Sequence, residues 1–139
     1  MPILHEWDST DGYLRTVLIG PVGFEDMCRH LEAVARADAF GRAELIDARA
    51  VDGPPPSLSE LRRLAGRARD LMGKTPPGPR AIVIDGSPVN TLVAELFSVF
   101  MAGPMQIDVF TSEAAARRWL RQQSTPVGPE LVGREQQAS

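Results

Sequence analysis

Short runs of β-forming residues and amphipathic helical stretches take turns along almost the whole chain, and this alternation limits the fold more than any single motif. Ile3, His5 and Trp7 alternate with Leu4, Glu6 and Asp8, and a second β-rich run covers residues 13–19. Between them stands Ser9-Thr10-Asp11-Gly12, whose Asp-Gly pair marks a hairpin because positive φ costs Gly nothing and Asp little. Phe24, Met27, Cys28, Leu31, Val34 and Ala35 then recur at helical spacing opposite Glu25, Asp26, Arg29, Glu32 and Arg36, which predicts an amphipathic helix. Residues 44–51 (ELIDARAV) read as a strand closed by Asp52-Gly53-Pro54-Pro55-Pro56, where three successive residues lack the N–H a ladder needs.

A second helix starts at Ser57, an N-cap whose capping box Glu60 completes, carries Leu58, Leu61, Leu64, Ala65, Ala68, Leu71 and Met72 on its apolar stripe, and stops at Gly73. Residues 81–84 (AIVI) are β-branched and continuously apolar, as suits a strand covered on both faces. Ser87-Pro88 supplies a cap and a first helical residue for a third helix, which Gly103-Pro104 ends. Residues 106–110 alternate as a last strand, and Thr111-Ser112-Glu113 caps a fourth helix with Ala115, Ala116, Trp119 and Leu120 inward. Residues 124–139 hold two Pro, two Gly and few apolar side chains, which predicts a mobile tail.

The order β-β-α-β-α-β-α-β-α predicts a single α/β domain over residues 1–123. Its sheet should be five-stranded, mixed but mostly parallel, with an antiparallel N-terminal edge strand and four helices. Composition narrows the function. At 139 residues with a formal charge of −3, the chain lacks the basic footprint of a sequence-independent nucleic-acid binder. A lone Cys28 excludes an internal disulfide or a Cys-Cys metal knuckle. Neither a signal peptide nor an uninterrupted apolar run of about 18 residues is visible, so a cytoplasmic protein without a transmembrane segment is expected.

Four segments together resemble the STAS-like domain family, the fold class of anti-sigma factor antagonists and of CRAL-TRIO-type lipid carriers. They are the hairpin leading into Gly20-Pro21-Val22-Gly23-Phe24-Glu25-Asp26, the strand Leu45-Ile46-Asp47-Ala48-Arg49, the strand Arg80-Ala81-Ile82-Val83-Ile84, and Val109-Phe110-Thr111-Ser112-Glu113 running on to Trp119-Leu120. The resemblance spans most of residues 2–123. It implies a five-stranded mixed sheet with helices packed mainly on one side, and a role in binding. One departure matters: phosphoregulated antagonists carry an Asp-Ser-x-Gly segment where this chain reads Gly53-Pro54-Pro55-Pro56-Ser57-Leu58-Ser59-Glu60. Ser57 stands near the switch position without the preceding Asp or the following Gly, which puts a kinase-driven switch in doubt.

Candidate chemistry is sparse. Asp47 and Asp85 end strands, and Arg49 lies on the face of Asp47, so an acid pair for a metal or for proton transfer is conceivable. The competing reading pairs Asp47 with Arg49 and gives Asp85 to a turn. Cys28 belongs to an apolar face, and His30 beside Arg29 reads as a solvated helix position. Gly20-x-x-Gly23 lacks the third glycine of a dinucleotide fingerprint, and Gly73-Lys74-Thr75 follows a helix and runs into prolines, so neither cradles phosphate. No cofactor or metal is expected, and no catalytic constellation is recognisable. Helix two, with Arg62, Arg63, Arg67 and Arg69, could meet an acidic partner or lipid headgroups, although such a face is usually solvated.

Helix three is the most informative segment, because its apolar residues cover more of its circumference than one sheet face can hide. Val93, Leu96, Phe97, Phe100 and Met101 are the candidate partner or dimer interface, and Asp47, Arg49, Ser57 and Asp85 the candidate ligand or switch region. The sequence therefore predicts a non-enzymatic STAS-like interaction or regulatory module that self-associates through helix three. The alternative is a carrier of a small apolar molecule or lipid.

Overall fold

Local signals start and stop the elements in the structure, a computed structural model that describes residues 3–8, 12–102 and 105–124. The elements are β1 (Ile3–Asp8), β2 (Tyr13–Pro21), α1 (Phe24–Arg36), β3 (Glu44–Asp52), α2 (Leu58–Met72), β4 (Arg80–Val83), α3 (Pro88–Met101), β5 (Ile107–Phe110) and α4 (Glu113–Ser124). At α2 the Ser57 hydroxyl accepts the Glu60 N–H at 3.1 Å, and the Glu60 carboxylate accepts the Ser57 N–H at 2.9 Å. At α3 the Ser87 hydroxyl accepts the Asn90 N–H at 3.2 Å, with Pro88 in the first turn. Gly103-Pro104 and the expected tail beyond Ser124 lie outside the described residues.

The five strands lie side by side in chain order, β1 antiparallel to β2 and β2 to β5 all parallel. Because each parallel strand is added on the same edge, crossovers of one hand put every intervening helix on one face. Accordingly α1 packs on α2 and α2 on α3. The fourth helix follows the last strand, crosses nothing, and takes the other face. Strand side chains report the division: Leu45, Ala81 and Val83 meet Ala116 and Leu120 of α4, whereas Ile82 and Ile84 meet Ala94 of α3.

One buried polar network joins β2, β3, β4 and α1. Glu44, at the start of β3, is 2% exposed, and Thr16, His30 and Arg80 around it are equally buried. The Thr16 hydroxyl donates to Glu44 Oε2 at 2.6 Å, His30 Nε2 stands 3.1 Å from the same oxygen, and Arg80 Nε lies 3.3 Å from Oε1. The rest of the guanidinium is spent on main chain, donating to the carbonyls of Arg42, Gly78 and Ala39 at 2.6, 2.9 and 3.4 Å. A buried ion pair breaks even only when its remaining hydrogen bonds are made, and here they are. His30, expected on a solvated boundary, is in the core because Glu44 is there to receive it.

Burial pushes the Glu44 carboxyl up, but His30, Arg80 and the Thr16 hydroxyl outweigh it and hold the group at about 2. A carboxyl depressed in the folded state contributes stability above its unfolded value, about 4.3, and loses it as pH falls through the folded one. Glu44→Gln keeps the shape and strands the Arg80 charge, so urea denaturation at neutral pH should show a loss of about 3 to 5 kcal/mol. The variant's stability should also fall less steeply than wild type between about pH 5 and 2; a parallel decline would contradict this role.

Candidate functional site

Near the starts of α2 and α3 the helix layer stands away from the sheet and leaves an apolar pocket of about 130 Å³. Leu18, Ile46, Ala48, Ile82 and Ile84 form its floor, Leu61 and Leu64 of α2 one wall, Val93, Ala94 and Phe97 of α3 the other, and Met27 of α1 a third side. The segment from Gly53 to Pro56, together with Asn90, completes the lining. The pocket therefore sits at the carboxyl ends of β3 and β4, where open α/β sheets collect ligands.

Two local features make the space. Val17 pairs with Asp47 but Ile19 with Ala50, so β3 carries an extra residue there. A bulge of this kind flips the alternation, which is why Val51 joins Ile46 and Ala48 in the lining. The second feature is side-chain size: Ala48 and Ala94 bring only methyl groups where larger residues would close the gap.

The polar chemistry of the pocket belongs to Asn90 and its neighbours. Asn90 Nδ2 makes long contacts with the Val51 carbonyl at 3.5 Å and with Asp85 Oδ1 at 3.3 Å. Asp85 Oδ1 also accepts the Ser87 N–H at 2.9 Å, and this hydrogen bond lowers its carboxyl below the ordinary carboxylate value. Asp85 thus stands as an ionised group beside the pocket.

Asp47 and Arg49 lie on the other face of the sheet. Asp47 Oδ2 accepts from Arg49 at 2.7 Å and from Arg15 at 3.0 Å, while Oδ1 accepts the Arg49 N–H at 3.2 Å. Glu113, at the start of α4, binds Arg49 at 2.8 Å, Arg15 at 3.2 Å and Arg117 at 2.7 Å. The Arg49 bonds, with Arg15 beyond them, hold Asp47 below the ordinary carboxylate value. Burial pushes Glu113 up, but Arg15 and Arg117 override it and hold it low. This cluster straps α4 to β2 and β3.

The sequence-predicted residues therefore separate. Asp47 with Arg49 and Asp85 serve opposite faces, Ser57 spends its hydroxyl on the α2 cap, and none of the four lines the pocket, which Asp85 meets through Asn90. Val93 and Phe97 line the pocket, Leu96 is half-buried, and Phe100 packs on the main core with the Arg62 guanidinium 5.7 Å from its ring. Met101 is 0% exposed in that core and offers nothing to a partner. The exposed apolar stripe of α3 is instead Val89, Leu92 and Val99, at 52%, 57% and 66%. Sequence reasoning missed Ala48, Leu61, Leu64, Asn90 and Ala94 as lining; the Pro54-Pro55-Pro56 run beside small residues was the available signal. On α2, Arg67 pairs with Glu32 of α1 at 2.8 Å and Arg63 stacks on Phe24 at 4.5 Å. Cys28 is partly buried, and burial pushes its thiol up.

Among solved structures the chain is similar to an uncharacterized protein of the DUF3478 family, with a SpoIIAA-like fold, from Shewanella loihica. The identity is 24% over 85% of this chain and 91% of that one, with a TM-score of 0.55. No family model matches the sequence, and no curated protein does. The chain has the SpoIIAA-like, that is STAS-like, α/β fold that its sequence resembles.

Among the described residues no cluster of three or more His, Cys, Asp or Glu is placed to hold a metal ion. With two guanidinium groups on Asp47, and no cluster of metal-ligating side chains around Asp85 among the described residues, Mg²⁺ or Ca²⁺ titration should leave the amide resonances of both residues unmoved in two-dimensional NMR. Saturable shifts at either would restore a metal-assisted reading.

Proposed function

We propose that this STAS-like domain binds a small apolar molecule between α2 and α3 and holds it without chemical change. The pocket itself carries this reading: an apolar space of about 130 Å³ at the carboxyl ends of the strands, formed before any ligand arrives. An apolar cavity of about 150 Å³ is known to stay dry and to admit benzene, so a single ring or a short alkyl chain is the scale that fits. No helix among the described residues is long and apolar enough to cross a membrane.

In a methyl NMR titration with benzyl alcohol, saturable shifts are expected at Ile82, Val93 and Ala94. They should disappear in Ala48→Phe, whose ring fills the space, while the Val83 and Leu120 methyls on the other face keep their positions. Shifts that survive in Ala48→Phe would place binding elsewhere.

A second reading, self-association through α3, is favoured by the Val89, Leu92 and Val99 stripe. Under it, sedimentation velocity shows a dimer that Leu92→Asp with Val99→Asp converts to a monomer. A wild-type chain that sediments as a monomer at high micromolar concentration would contradict it.

A further inference from the structure

The Asn90 amide at the pocket turns its donor to two acceptors. Asp85 is an ionised carboxylate 3.3 Å from the lining side chain of Asn90, and the Val51 carbonyl is the second group that Asn90 faces. Pro54, Pro55 and Pro56, which line the same space, have no N–H to offer. Three amide N–H groups where α3 begins are engaged: Ser87 N–H goes to Asp85, Asn90 N–H to the Ser87 hydroxyl and Thr91 N–H to the Ser87 carbonyl. The cations that follow Leu61 are turned to aromatic rings, Arg62 to Phe100 and Arg63 to Phe24. An anionic head would meet the Asp85 carboxylate and the Val51 carbonyl there, whereas an ammonium would meet partners for its protons.

We infer that the ligand of this pocket is an organic ammonium, an apolar ring or short chain ending in a protonated amine that Asp85 receives beside Asn90. This rests on the pocket being a ligand site, and it separates the ligand from fatty acids and phosphate esters, whose heads carry the opposite charge. The attraction comes from an exposed carboxylate, so salt screens it and it sets preference more than depth of binding.

The test compares three probes that share one ring, benzylammonium, benzyl alcohol and benzoate, titrated at neutral pH into the full chain and followed on the Val93 and Ala94 methyls. Benzylammonium should bind at least tenfold more tightly than benzoate, with the alcohol between them, and the gap should narrow in 1 M NaCl. Asp85→Asn, which keeps an oxygen for the Ser87 N–H, should bring the ammonium close to the alcohol. Benzoate binding as tightly as the amine, or an undiminished amine preference in a folded Asp85→Asn chain, overturns the inference and leaves the pocket standing. Shifts with none of the three would overturn the pocket reading itself, and this inference with it.

Discussion

The Glu44 carboxylate fixes the arrangement on which the rest of the domain is built. It sits at the first residue of β3, paired in register with Arg80 at the first residue of β4 and hydrogen-bonded to Thr16 of β2 and His30 of α1. A one-residue slip of β3 would turn the carboxylate to the α4 face and bury a charge away from every partner, so the register of three parallel strands is fixed by one acid. Arg80 extends the hold to the loops at the amino ends of the strands through the carbonyls of Ala39, Arg42 and Gly78.

The two ends of the sheet consequently differ. At the amino ends, Glu44 and Arg80 are satisfied by their neighbours and Phe40, Met101 and Met105 close the core. At the carboxyl ends, β3 bulges, three prolines hold the chain off the ladder, and small residues leave a space unfilled. On the far face the Arg15, Asp47, Arg49, Glu113 and Arg117 cluster fastens α4, so Asp47, one of the two acids that looked most like chemistry, serves in a strap. Stability at one end and an open pocket at the other are compatible because different strand residues carry them.

Much of the fold was legible because its signals are local. The Ser57 and Ser87 caps, the Pro88 helix start and the β-branched run at residues 81–84 each act within a few residues and appear where the sequence places them. The site was less legible because its parts are distant in sequence. Nothing near His30 announces Glu44, and nothing near Ala48 announces Ala94. Helix three shows the limit most clearly: its excess of apolar residues was readable, but which of them face solvent depends on how α2 and β5 pack on it. Met101 went inward and Leu92 outward for that reason.

A crystal structure determined under xenon pressure tests the account most directly, since xenon enters apolar cavities of this size without a polar head to guide it. A xenon atom resting between Ala48, Ile82, Val93 and Phe97, with the surrounding side chains unmoved, is the predicted result. Ordered water in that space, or α3 collapsed onto the sheet with no room for xenon, would contradict a preformed apolar binding site.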